Sequence, residues 1–144
     1  LKAREHAVIV NIGSIFGSIG HPGFTTYCAS KFGLRGFTEA LQRELAGSSI
    51  QVSYLAPRAT ITALNSATIT AMNRALGNTM DDPELVAQAL LMLLRKNQCQ
   101  RYMGWPERLF VKVNALLPNV VAKALIKNLP TINQSINQQN KSEG

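Results

Sequence analysis

The pattern that most constrains this chain is an apolar strand, an amphipathic helix and a second apolar strand, run together within about fifty residues. Ala7-Val8-Ile9-Val10-Asn11-Ile12 is short and almost continuously apolar. Such a segment does not alternate, so it fits a strand buried on both faces, as in a parallel sheet covered by helices. From Thr25 to Ala46 the period changes. Leu34, Phe37, Leu41 and Leu45 recur at three- and four-residue spacing, the repeat of a helix with one buried face. Gly47 can take the left-handed conformation that ends a helix. Ile50-Gln51-Val52-Ser53-Tyr54-Leu55 is the second strand, stopped by Pro57. Strand, helix and strand in this order make a right-handed crossover unit, so the expected fold class is α/β with a parallel sheet.

Downstream, Asp82-Pro83-Glu84 is a helix start: Asp82 caps, Pro83 occupies the first turn and Glu84 suits the positive end of the dipole. Val86, Leu90, Leu93 and Leu94 give this helix its apolar face. Tyr102 to Trp105 is a third strand candidate, and Arg58 to Met80 reads as a loop or short helices. Pro106 to Leu129 is amphipathic and interrupted at Pro118, which gives two helices or one kinked helix. After Pro130 the chain turns to Asn, Gln and Ser, the composition of a disordered tail.

Charge and cysteine content narrow the function classes. The chain carries 15 Lys and Arg against 8 Asp and Glu, a formal charge of +7. The basic residues are scattered and no nucleic-acid recognition motif accompanies them, so no nucleic-acid partner is expected. Arg108, Lys112, Lys123 and Lys127 would share an arc of about 100° if one helix ran through them, flanked by Leu109, Val113, Leu116, Leu117 and Val120. That pattern allows contact with an anionic membrane surface through residues 106–129. Two cysteines, Cys28 and Cys99, are too few for a disulfide framework, and a cytoplasmic setting is expected. His6 and His21 have no Cys or carboxylate at metal-binding spacing, so no metal site is expected. The chain opens without Met and almost directly on an internal strand, the layout of a fragment.

Candidate chemistry gathers at the start of the first helix. Tyr27 and Lys31 are four residues apart and project from one helix face. A free tyrosine has a pKa of about 10 and is a poor base at neutral pH, but a nearby ammonium favours the phenolate. Ser14 follows the carboxyl end of the first strand, where open α/β sheets place their ligands. Its hydroxyl can bond a carbonyl or alcohol oxygen. Taken alone, a Tyr-x-x-x-Lys pair or a Ser in a Gly-rich loop carries little weight.

Several linked motifs together resemble the short-chain dehydrogenases/reductases, in their short single-domain branch. Val8 to Ser14 is similar to the segment of that family that ends in its serine, and Tyr27 follows Ser14 by thirteen residues with Pro22 five before it. Tyr27-Cys28-Ala29-Ser30-Lys31 resembles the Tyr-x-Ala-Ser-Lys signature, and Gly33, Gly36, Phe37, Glu44-Leu45, Ile50-Gln51-Val52 and Ala56-Pro57 keep the register. The resemblance spans roughly residues 7 to 100. It implies a Rossmann-like, doubly wound parallel sheet, incomplete here because the N-terminal dinucleotide-binding half is missing. Residues 1–105 would be the C-terminal half of that domain, 106–130 an amphipathic helical extension and 131–144 a disordered tail.

The resemblance further implies an NAD- or NADP-dependent oxidoreductase that interconverts a carbonyl and a secondary alcohol. Tyr27 would be the general acid/base, Lys31 would tune it and hold the nicotinamide ribose, and Ser14 would polarise the substrate oxygen. Tyr27, Lys31, Pro57 and Thr62 would be the cofactor-binding residues. A small, apolar carbonyl or alcohol substrate and a homo-oligomer formed through the Tyr-Lys helix are expected. Two departures stand out. Arg58 follows Pro57 where the family usually has Gly, and its side chain is read as pointing to solvent, with a phosphate or acidic substrate as the sharper alternative. No Gly-x-x-x-Gly-x-Gly turn follows a strand, so the fragment alone is expected to be inactive. The competing readings are an NAD-dependent epimerase or dehydratase and a truncated, non-enzymatic binding or membrane-associated module.

Overall fold

A computed structural model describes residues 4–62, 70, 73 and 77–134 of the chain. Strand β1 spans Ala7–Ile12, helix α1 Thr25–Glu44, strand β2 Ile50–Ala56, helix α2 Pro83–Arg95 and strand β3 Gln100–Tyr102. Helices α3, Trp105–Leu116, and α4, Pro118–Lys127, follow. The strands form a parallel three-stranded sheet in the order β1-β2-β3. Its register runs from Ala7 opposite Ile50 to Ile12 opposite Leu55, and from Tyr54 opposite Gln100 to Ala56 opposite Tyr102.

Alternation along the strands divides the core between two faces. Ala7, Ile50 and Val52 are buried with Ile9 against Leu41 of α1 and Leu45 at its end. Leu55 packs with Val10 against Val86, Ala89, Leu90, Leu93 and Leu94 of α2. Helices on both faces explain why β1 shows no polar alternate row. The fold is the expected doubly wound α/β arrangement. A third cluster closes the carboxyl end of the sheet: Ile15, Ile19, Tyr54 and Ala56 meet Val121, with Val111, Val113 and Leu125 packed around them.

The local start and stop signals act as read. Asp82 caps α2, its side chain accepting from the Glu84 backbone N–H at 3.1 Å, with Pro83 in the first turn. Gly47 lies past the end of α1 with φ of +83°. Leu117, outside helical geometry at φ −134° and ψ 63°, separates α3 from α4, so the interruption at Pro118 yields two helices. Arg108, Lys112, Lys123 and Lys127 therefore do not share one continuous helical arc.

Three details depart from the pattern. Phe37, whose helical run suited either burial in the fold or a contact between copies, is 56% exposed, while the polar Thr38 beside it is fully buried. The third strand ends at Tyr102 rather than running to Trp105. Residues 131–134, placed in the tail by composition, are helical, and Ile132 among them is buried. Most of the segment 58–80 and all of 135–144 lie outside the described residues.

Candidate active site

The site forms where β1 and β2 end. Beyond β1 the chain still follows its neighbour: the Gly13 N–H donates to the Leu55 carbonyl at 2.7 Å and the Ile15 N–H to the Pro57 carbonyl at 3.1 Å. Ser14 is thus fixed beside the end of β2. Its Oγ accepts from the Phe16 N–H at 3.2 Å and caps a single 3-10 turn, Ile15–Gly17. That bond uses an acceptor site and leaves the hydroxyl proton able to donate elsewhere.

A second anchor for Ser14 comes from Tyr54, which its position in the sequence did not reveal. The Ser14 N–H donates to Tyr54 Oη at 3.4 Å, and Tyr54 Oη donates to the Ser14 carbonyl at 3.3 Å. The ring lies so close to the loop that a Cβ on Gly13 would overlap it, so this position requires glycine. Burial pushes the Tyr54 hydroxyl above its ordinary pKa, with the Ser14 bond acting in the opposite sense. Tyr54 thus ties β2 to the Ser14 loop.

Helix α1 carries the other two groups. Its turn toward β1 is fixed by Asn11, whose Nδ2 donates to Thr38 Oγ1 at 2.9 Å, while Thr38 Oγ1 donates to the Leu34 carbonyl at 2.6 Å. A polar pair this deeply placed is stable because both groups find partners. Arg35 of α1 donates to Ser18 Oγ at 2.8 Å, and Asn114 of α3 donates to the Ser18 carbonyl at 2.9 Å. The loop after Ser14 is consequently tied to both helices.

Lys31 reaches back from α1 to the end of β1. Its Nζ donates to the Ile12 carbonyl at 3.3 Å and lies 5.5 Å from the centre of the Tyr27 ring. Tyr27 is 43% exposed and meets Phe16 and Phe24 edge-on, with ring centres 6.3 and 6.2 Å apart. His21 stacks on Phe16 at 4.7 Å, and its Nδ1 lies 2.8 Å from the Pro22 carbonyl. Burial holds the His21 imidazole below its ordinary pKa, the Pro22 bond opposing. The result is a partly open hydroxyl set among aromatic rings, with one ammonium beside it.

The remaining sequence candidates lie nearby or elsewhere. Pro57 is buried, and its carbonyl accepts from Ile15. Thr62 is exposed, at the edge of the described segment. Cys28 is buried beneath the loop, its Sγ near the Ile19 and His21 carbonyls.

Arg58 takes neither of the expected orientations. It forms a two-pronged ion pair with the buried Asp81, Nε to Oδ2 at 2.9 Å and Nη2 to Oδ1 at 2.7 Å, and reaches Glu107 Oε1 at 3.5 Å. The bond to Asp81 raises the pKa of its guanidinium further. Arg58 is occupied by the chain itself. A cleft of about 310 Å³ opens beside this pair, lined in part by Arg58, Asp81 and Arg101, but not by Ser14, Tyr27 or Lys31. Those three residues therefore lie outside that cleft.

Among the described residues there is no group of three or more His, Cys, Asp or Glu able to hold a metal ion. The groups at the end of β1 are instead hydrogen-bonding ones, the Lys31 ammonium and the Tyr27 hydroxyl, at the carboxyl edge where open α/β sheets place their ligands.

Comparison with known proteins agrees with this layout. Residues 1–73 match the short chain dehydrogenase family model. A 3-oxoacyl-(acyl-carrier-protein) reductase of Haemophilus influenzae is 51% identical over 57 residues, covering 40% of this chain and 24% of that protein. The reductase of the same name from Thermotoga maritima is 40% identical over 95 residues, covering 62% of this chain and 39% of that one. The chain therefore spans well under half the length of these curated relatives. Among solved structures, a short chain dehydrogenase from Burkholderia cenocepacia in complex with NADP superposes with a TM-score of 0.68 at 22% identity, covering 83% of this chain and 47% of that one.

Proposed function

Because this chain belongs to the short-chain dehydrogenase family, we propose that it carries the proton-transfer half of an NAD(P)-dependent oxidoreductase that interconverts a carbonyl and a secondary alcohol. One observation carries the reading: the Lys31 ammonium is fastened to the Ile12 carbonyl and stands 5.5 Å from the Tyr27 ring, at the strand end that fixes Ser14. Tyr27 is the general acid in reduction and the general base in oxidation. The positive charge of Lys31 stabilises the negative charge that develops on the phenolic oxygen. Ser14, with its proton free to donate, holds and polarises the substrate oxygen against Tyr27. The nicotinamide supplies or accepts hydride when bound.

Of the cofactor-binding residues, Tyr27 and Lys31 suit the ribose hydroxyls, and Pro57 and Thr62 flank the nicotinamide end. Arg58, paired to Asp81 and Glu107, is not free for a phosphate. No Gly-x-x-x-Gly-x-Gly turn is present in these 144 residues to receive the pyrophosphate, since Gly13, Gly17 and Gly20 lie in the loop that carries Ser14 and are spaced differently. We infer that these residues alone turn over poorly, and that joining them to a nucleotide-binding half restores turnover. The aromatic rings of Phe16 and Phe24 around Tyr27 favour an apolar substrate.

The test is NADH- and NADPH-dependent reduction of 3-oxoacyl and simple ketone substrates. It compares the chain alone with the chain fused to the N-terminal half of a curated relative. Turnover is expected only from the fusion, and Tyr27→Phe should lower it by about 10²- to 10⁴-fold, the usual worth of a positioned acid/base. A fusion that binds cofactor and turns over equally well with Phe at position 27 would overturn the assignment.

A further inference from the structure

The two C-terminal helices present an outer face that the fold does not use. Their inner faces converge on one cluster: Val111 and Val113 of α3 and Val121 and Leu125 of α4 pack around Ile15, Tyr54 and Ala56, and Asn114 bonds the Ser18 carbonyl. Helices already fastened this way need only polar residues outside. Here the outside is instead apolar and basic. On α3, Trp105, Leu109 and Leu116 interleave with Arg108 and Lys112 at spacings that place all five on one stripe. On α4, Val120 and Ile126 interleave with Lys123 and Lys127. At the elbow between the helices Leu116 is 81% exposed and Leu117 58%.

Charge selects the kind of partner. Between Arg108 and Gln134 the chain has four basic residues and no Asp or Glu. The Arg108 guanidinium lies 5.9 Å from the Trp105 ring, and Trp105 itself is 71% exposed. An exposed indole beside an arginine, with leucines below and lysines around the rim, has the amphipathic order of groups that settle at a lipid headgroup boundary. No described helix is long and apolar enough to cross a membrane, so this would be a surface contact.

We propose that the outer face of α3 and α4 docks on an anionic lipid surface. The Leu116-Leu117 elbow enters the acyl boundary, and Arg108, Lys112, Lys123 and Lys127 pair with headgroup phosphates. This surface includes none of Ser14, Tyr27 or Lys31, so the proposal stands independently of the catalytic reading.

The experiment is sedimentation of the 144-residue chain with vesicles of phosphatidylcholine containing phosphatidylglycerol, or of phosphatidylcholine alone. Trp105 is the single tryptophan, so its emission reports on this face alone. Binding to the anionic vesicles with a blue shift of that emission is expected, and neither should occur on neutral vesicles. Lys112→Gln, Lys123→Gln and Lys127→Gln together should weaken binding by roughly 100-fold, at about fivefold per lysine near the surface. Leu116→Ser with Leu117→Ser should abolish the blue shift while circular dichroism stays unchanged. Folded protein that ignores anionic vesicles, or binds without a Trp105 shift or equally well after the lysine changes, overturns the proposal. So does a fall in solution mass caused by the leucine changes without lipid, because the face then belongs to a second copy.

Discussion

At the scale of single residues, the position of Ser14 depends less on its own bonds than on Tyr54. The phenol bridges the Ser14 N–H and carbonyl from a strand forty residues away, and Gly13 leaves the space it needs. Removing that hydroxyl leaves the Ser14 backbone groups without this partner in a part-buried site. Tyr54→Phe should therefore cost about 1 kcal/mol in urea unfolding, the usual net worth of a hydrogen bond. Its effect on the reactive loop should be larger than on the fold, because no core volume is lost. Chemical-shift changes confined to residues near 13–18 are expected from the variant, whereas a spread through α2 would indicate that Tyr54 serves the core at large.

At the scale of elements, what was legible in the sequence and what was not divide by distance along the chain. The two-faced burial of β1, the cap at Asp82 and the left-handed Gly47 obey local rules and could be read directly. Helix geometry puts Tyr27 and Lys31 on one face, but it was the linked motifs around them, not that geometry, that singled the pair out. The tether from Tyr54, the bond from Asn11 to Thr38 and the pairing of Arg58 join residues 23 to 49 apart, where no local period signals a contact. Which way Phe37 faces was left open for a related reason. Helical spacing fixes which residues share a stripe but not which stripe faces the sheet, and the Asn11-Thr38 bond helps decide that.

The same scale governs Arg58, which ties the segment after β2 to the start of α2 and to α3. Asp81 is buried, so Arg58→Gly, the residue usual in the family, strands a carboxylate. A loss on the order of 3 kcal/mol is expected from removing one partner of such a pair. Asp81→Asn in the Arg58→Gly background should recover much of it, because the uncompensated charge goes too. Chemical denaturation of the two single variants and the double variant measures this, and strictly additive losses would show that the pair does not act as a unit.

At the scale of the whole molecule, the sheet and its helices leave one more surface unsatisfied. Along α1, Ala29, Gly33, Phe37 and Ala40 form an exposed stripe on the helix that presents Tyr27 and Lys31. Leu41 and Leu45 turn inward to the β1-β2 face, so the outward stripe is free for another helix. Small residues allow close backbone approach, and Phe37 supplies the apolar area; a helix from a second copy would meet it by two-fold symmetry. We propose homo-oligomer formation through this stripe. Phe37→Glu puts a charge at its centre without touching Thr38, Leu41 or Leu45, so the fold should survive while association weakens. Light scattering over a concentration series should show wild-type mass rising above 15.7 kDa and the variant remaining near it. A wild type that stays at monomer mass throughout rules out self-association of these 144 residues. Should wild type and variant rise together, the contact must use another face.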